Sequence, residues 1–282
     1  MLFPMRTLAA LLTLALASAA DKKPVTLDSL GAGMMRMMGE VGGQPIWAPG
    51  GQRFALRRGD KVVLYDIATA AEKDLFTTTE AAKLARASQP DKVMAWENRR
   101  VTEQRLQWSR DGKHILLVIY GDLFLWSEAT GKFEQLTATE IAERDPKLSP
   151  DATKVSFRRG FELYVEDIAT QKVTQLTTDG STYRWNAMLD WVYPEELDLG
   201  TANWWSPDSK KIAYMQFDVS GEIMYPHDDH LPLTAVAEPQ RYPKAGTPNA
   251  DVRVGVVGVS GGETKWLDFG EIRDHLLARI HW

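Results

Sequence analysis

Three stretches of this 282-residue chain carry side chains whose types and spacing could do chemistry. In Asp190-Trp191-Val192-Tyr193-Pro194-Glu195-Glu196-Leu197 two carboxylates stand side by side behind a Trp and a Tyr. Adjacent like charges repel, so a pair kept near apolar surface usually meets a cation. The plainer reading of the same residues is a solvated acidic turn. Gly258-Val259-Ser260-Gly261-Gly262 matches the G-x-S-x-G pattern of a nucleophilic serine, and His227-Asp228-Asp229-His230 offers four metal ligands in a row.

The last two weaken on inspection. A nucleophile elbow needs a strand, a sharp turn and a helix, with an acid and a His well downstream. Ser260 is followed by Gly-Gly-Glu-Thr, then by strand-like Lys265-Trp266-Leu267, and 22 residues remain after it. It reads as a hairpin turn, and no catalytic residue is assigned. In an extended chain neighbouring side chains point apart, so only two or three of the His-Asp-Asp-His ligands could converge on one ion. That stretch reads as a solvated loop, with a zinc or calcium site as the alternative. The expectation is therefore no metal and no cofactor. There is no cysteine, which excludes disulfides, thiolate metal sites and a Cys nucleophile.

The elements that must position the acidic pair recur along the chain. An apolar residue, a Ser-Pro-Asp-Gly-type turn and a returning apolar strand appear at Ile46-Trp47-Ala48-Pro49-Gly50-Gly51, Leu106-Gln107-Trp108-Ser109-Arg110-Asp111-Gly112, Leu148-Ser149-Pro150-Asp151 and Trp204-Trp205-Ser206-Pro207-Asp208. A second hairpin follows each, at Val62–Thr69, Leu123–Gly131, Leu163–Thr170 and Val252–Val259. Short closing strands such as Phe133–Thr137, Val173–Thr177 and Thr264–Asp268 come behind. About four strands per unit, with starts 40 to 61 residues apart, predict the antiparallel blades of an all-β propeller. Two intervals break the period. Thr77 to Arg105 predicts a short helix near Thr79–Arg86, and Val219 to Asp251 predicts a long surface excursion.

Composition agrees. The chain is 44% apolar, enough to bury a large core, and its ten Trp and eight Tyr suit sheets. A net charge of −5 without basic runs argues against nucleic acid and anionic membranes. Met1–Arg6, the apolar run Leu8–Leu16 and Ala17-Ser18-Ala19 read as a cleaved secretory signal peptide, too short to span a membrane. The predicted organisation is a signal peptide at 1–19, an N-terminal arm at 20–43 and a partial propeller at 44–282, exported to the periplasm or beyond.

Asp190–Leu197, Trp204-Trp205-Ser206-Pro207-Asp208, Ile212-Ala213-Tyr214-Met215-Gln216-Phe217 and Tyr242-Pro243-Lys244-Ala245-Gly246 follow one another as in the dipeptidyl peptidase IV family of prolyl oligopeptidase-type serine peptidases, which the chain resembles. The resemblance implies an eight-bladed propeller, about half of it present here, covering an α/β-hydrolase domain that carries the serine triad. Glu271–Trp282 looks like the start of the next blade, and the hydrolase domain is not in this sequence. The resemblance further implies that Glu195 and Glu196 bind the free α-amino group of a peptide whose N-terminal X-Pro-type dipeptide is released, and that the full-length protein forms a homodimer. An α-amino group is mostly cationic at neutral pH, and two carboxylates can accept its donors in charge-assisted bonds. Anchoring a chain end at a set distance from a nucleophile counts residues.

Two departures stand out. Pro194 occupies a position where relatives often carry another acid. The family's carbonyl-holding arginine has no counterpart in the short hairpin Tyr120-Gly121-Asp122-Leu123, and no motif selects Arg99 or Arg100 for the role. The alternative reading is a non-catalytic propeller that binds a protein partner, with the acidic stretch as surface.

Overall fold

The computed structural model describes residues 45–86, 101, 105–271 and 274–282. The expected signal peptide and arm lie outside these residues, as do Arg99 and Arg100. Strands joined by tight turns build four antiparallel sheets in sequence. The first contains β1 (Ile46–Trp47), β2 (Arg53–Arg58), β3 (Lys61–Asp66) and β4 (Ala71–Thr77). The second contains β5 (Leu106–Trp108), β6 (His114–Ile119), β7 (Asp122–Ser127) and β8 (Lys132–Gln135). The third contains β9 (Glu143–Leu148), β10 (Lys154–Arg159), β11 (Glu162–Asp167) and β12 (Lys172–Gln175). The fourth contains β13 (Arg184–Asn186), β14 (Asn203–Trp205), β15 (Lys211–Asp218), β20 (Asp251–Gly258) and β21 (Lys265–Trp266). These are four consecutive blades of a β-propeller, as the repeat predicts.

The turn chemistry explains the repetition. Ser109 Oγ donates to Asp111 Oδ1 (2.5 Å) and accepts the His114 N–H (2.9 Å), while Asp111 Oδ1 accepts the Lys113 N–H (3.0 Å). Ser149 with Asp151, and Ser206 with Asp208, make the same set. Each Ser–Asp pair replaces backbone partners where the chain reverses. The first blade has neither residue and turns on Gly50 and Gly51, at φ of 90° and 67°.

Blades meet through apolar faces and through their first strands. Ala55, Val62 and Phe76 of the first blade pack on Ile115, Leu117 and Phe124 of the second, and Leu116, Leu123 and Leu125 pack on Val155 and Phe157 of the third. Along the first strands, tryptophan N–H groups reach the preceding blade. Trp108 Nε1 donates to Ile46 O (3.0 Å) and Trp205 Nε1 to Lys147 O (3.1 Å). The third blade has Leu148 at this position, and there Gln107 Nε2 donates forward to Pro146 O instead (2.6 Å). Segment 274–282 ends with Trp282 Nε1 donating to Trp204 O (3.2 Å), the same contact one step further round. First strands that touch their neighbours in turn form the inner edge of the array.

The helix α1 (Thr78–Leu84) starts one residue before the predicted span and opens with a capping box between Thr77 and Glu80. The 219–250 excursion forms two ribbons, β16 (Met224–Tyr225) with β19 (Gln240–Arg241) and β17 (Asp228–Asp229) with β18 (Val236–Ala237). Its tip is exposed as expected. Its foot is not: Glu222, Glu238 and Gln240 are buried. No described helix is long and apolar enough to cross a membrane.

Candidate functional site

The acidic stretch is mounted on a break in the fourth blade. β13 and β14 both pair with β15, through Arg184↔Asp218 to Asn186↔Gln216 and then Asn203↔Tyr214 to Trp205↔Ile212. Met215 lies between the two registers. It accepts the Ala187 N–H (2.9 Å) and donates to Ala202 O (3.0 Å). Residues 187–202 therefore leave and rejoin a single inner strand. The third blade has a bulge at the equivalent place, between the pairs Arg158↔Arg144 and Ser156↔Lys147. Asp145 there (φ 45°) and Ala187 (φ 52°) are both left-handed. Where the third blade has a one-residue irregularity, the fourth has the whole 187–202 insertion.

Within the insertion, Val192–Glu196 form a short helix, α2, rather than the turn that the spacing suggests. Asp190 Oδ1 accepts the Tyr193 N–H (3.2 Å), closing its first turn. Pro194 sits early in the helix, where a missing N–H costs nothing. Tyr193 is the buried anchor: its ring meets Phe217 edge-on at 4.9 Å and its hydroxyl accepts the Leu277 N–H (2.9 Å). Burial pushes that phenol up to about 12, so it stays neutral. At the far end Leu197 O accepts from Arg279 Nη1 (2.9 Å). Trp191 leans edge-on against Tyr242 at 4.5 Å, tying the helix to the ribbon.

The root of the insertion is held by the bulge next door. Asp145 Oδ2 accepts from Thr201 Oγ1 (2.8 Å), the Ala202 N–H (3.0 Å) and Asn203 Nδ2 (2.8 Å), and Lys147 Nζ bonds its other oxygen. Asp145 is buried, so these donors give its charge the partners it needs.

A cavity of about 510 Å³ opens beside α2, and Glu195 lines it with Trp185, Trp191, Met224, Arg158 and Arg241. Glu195 is half-buried; Glu196 is exposed and is not part of the lining. Of the two adjacent glutamates, Glu195 alone lines this cavity. Asp145 and Asp190 also reach the cavity wall. Asp145, Arg158 and Arg241 of this lining belong to no sequence motif: their residue types are common and their positions depend on blade packing. Ser260 lies in the turn between β20 and β21, in keeping with the hairpin reading. His227-Asp228-Asp229-His230 runs along the ribbon, and no group of three or more His, Asp or Glu among the described residues could hold a metal ion.

A family model described as "Dipeptidyl peptidase IV (DPP IV) N-terminal region" matches residues 59–282. The chain belongs to this family. A "Probable dipeptidyl-aminopeptidase B" of Sordaria macrospora is 26% identical over 238 residues, covering 70% of this chain and 26% of the relative. Dipeptidyl aminopeptidase B of Saccharomyces cerevisiae is 28% identical over 149 residues, covering 51% of this chain and 18% of the relative. The crystal structure of Porphyromonas gingivalis dipeptidyl peptidase 4 superposes with a TM-score of 0.68 at 24% identity, over 89% of this chain and 36% of that one. The chain thus spans about a quarter or less of the curated relatives it matches. This dipeptidyl peptidase IV N-terminal region shares its propeller fold with the solved enzyme.

Proposed function

We propose that this region is the substrate-gating propeller of an exported serine dipeptidyl peptidase, with Glu195 and Glu196 anchoring the α-amino group of the substrate. The observation that carries the reading is the placement of Glu195: on a helix inserted into an inner strand, lining a cavity large enough for a dipeptide. The paired acids sit at the C-terminal end of α2, where the helix contributes partial negative charge and a cation is favoured. Substrates on this reading are peptides with a free N-terminus and proline-type second residues. The nucleophile, base and acid are assigned to a hydrolase domain outside this sequence, and export to the N-terminal signal at 1–19.

Homodimerisation belongs to the same reading. Leu231 and Leu233 at the ribbon tip are almost wholly exposed, and a second copy would cover them. The direct test is titration of this chain with an X-Pro dipeptide amide and with its N-acetylated form. The free amine is expected to bind and the acetylated compound not to; equal binding overturns the amine anchor.

A further inference from the structure

Two carboxyls that no motif selects meet underneath α2. Asp190 comes from the 187–202 insertion and Glu222 from the foot of the ribbon, and each is only 4% exposed. Their side chains are in contact. Asp190 Oδ1 is committed to the Tyr193 N–H. The Ala250 amide approaches Glu222, yet neither Glu222 oxygen gains a donor in full hydrogen-bond geometry. Arg241 is the cationic neighbour, but its Nη1 is spent on the carbonyls of Val219 (3.0 Å) and Glu222 (3.2 Å) and its guanidinium covers the Tyr183 ring. The other titratable neighbour is the neutral Tyr193 phenol, and Glu238, in the link between β18 and β19, is a third buried acid of the ribbon.

Two buried carboxylates in contact, short of donors, cannot both be charged. One proton between them turns an unfavourable contact into a short, charge-assisted hydrogen bond. We propose that Asp190 and Glu222 share one proton, and that this acid pair is the positioning element that seats the Glu195 helix against the foot of the ribbon; the role in binding rests on the amine-anchor reading above. With the proton in place, Asp190 keeps the charge that closes the first turn of α2, and Glu222 locks it to the ribbon. Loss of the proton sets two negative charges against each other, pulls Asp190 away from the Tyr193 N–H and releases the helix that carries Glu195. Burial, then the partner's charge, raises Glu222 to about 8; burial raises Asp190 to about 6, and the pair titrates as a unit.

A substrate amine loses its own proton in the same range, so the decisive readout is made without substrate. Trp191, next to Asp190 and against Tyr242, reports through its fluorescence. The expected result is a one-proton transition near the upper titration of the pair, lost in Trp191→Phe and abolished in Glu222→Gln, whose amide is a permanent donor. Glu166→Gln, which removes a buried acid elsewhere, is expected to leave the transition in place. Binding of an X-Pro dipeptide amide at neutral pH is then compared across variants. Glu222→Gln is expected to stay within about twofold of the parent, and Glu222→Ala to lose about tenfold or more, as removal of a buried charge-assisted bond does. A transition that survives in Glu222→Gln, or a Glu222→Gln variant as weak as Glu222→Ala, overturns the proton-sharing pair. A Glu195→Gln variant that binds the amide unchanged overturns the anchor reading alone and leaves the fluorescence result standing.

Discussion

Asp145 and Asn203 are 58 residues apart and joined by a 2.8 Å hydrogen bond from Asn203 Nδ2 to Asp145 Oδ2, with the Asn203 amide also reaching Asp145 O at 3.1 Å. The bond links the bulge of the third blade to the point where the acidic insertion rejoins the fourth. Asp145→Ala leaves the Ala202 N–H buried without its acceptor and the Asn203 amide with only the backbone carbonyl at 145. We expect a loss of about 2–4 kcal/mol in urea unfolding, since stranded buried donors cost more than an average hydrogen bond. Affinity for a free-amine dipeptide amide should fall in the same variant. Unchanged stability would show that the insertion is held elsewhere.

The two glutamates should not be equivalent. Glu195 lines the cavity and is half-buried, while Glu196 is exposed. Glu195→Gln is expected to weaken amine binding about 10- to 100-fold, the range for a charge-assisted bond at a partly desolvated site. Glu196→Gln should cost less, within about fivefold, because a solvated charge contributes little. Calorimetric titration of both variants decides the order, and a larger effect at Glu196 would place the amine outside the cavity.

Glu166 sets a pH dependence for the fold. It is fully buried on β11, its oxygens meet no donor, and burial followed by the nearby charge of Glu143 raises it to about 7. A carboxyl raised in the folded state binds its proton more tightly there than in the unfolded chain. Its contribution is therefore fully present below about pH 4.5 and is lost as pH rises through about 7. Glu166→Gln should gain on the order of 2–3 kcal/mol over the parent at pH 8, with the gap closing toward pH 4.5. Denaturation curves at both pH values test this. A gap independent of pH would mean that Glu166 is ionised in the fold.

The Ser–Asp turns make a smaller, opposite prediction. The Ser109 hydroxyl, against a modest effect of burial, holds Asp111 below the usual carboxylate range. A depressed carboxyl stabilises above its unfolded pKa, and that stability disappears as pH falls through the folded value. Asp111→Ala should cost about 1 kcal/mol at neutral pH and nearly nothing in strong acid, by thermal unfolding at the two extremes. Loss of the same size at both would assign the effect to packing.

Much of this molecule is local, and local structure is legible. Ser149-Pro150-Asp151 makes its turn from hydrogen bonds within six residues, so composition and order suffice to place it and to count the blades. The helix at Thr78–Leu84 announces itself by Thr77 and Glu80 for the same reason. The Glu195–Glu196 pair was visible as adjacent charges in a family-specific setting. That they ride on a helix, and that only Glu195 turns into the cavity, was not, because the helical form of so short a segment depends on Tyr193 being buried under Phe217 and Leu277.

What the sequence by itself determined was the repeat, the turn chemistry, the family and the identity of the acidic pair, all of which depend on neighbours along the chain. What only the tertiary structure decided was the broken inner strand, the grip of Asp145 on Asn203 and the meeting of Asp190 with Glu222. Each of these joins residues far apart in sequence, and only the closing of one blade onto the next brings them within hydrogen-bonding distance.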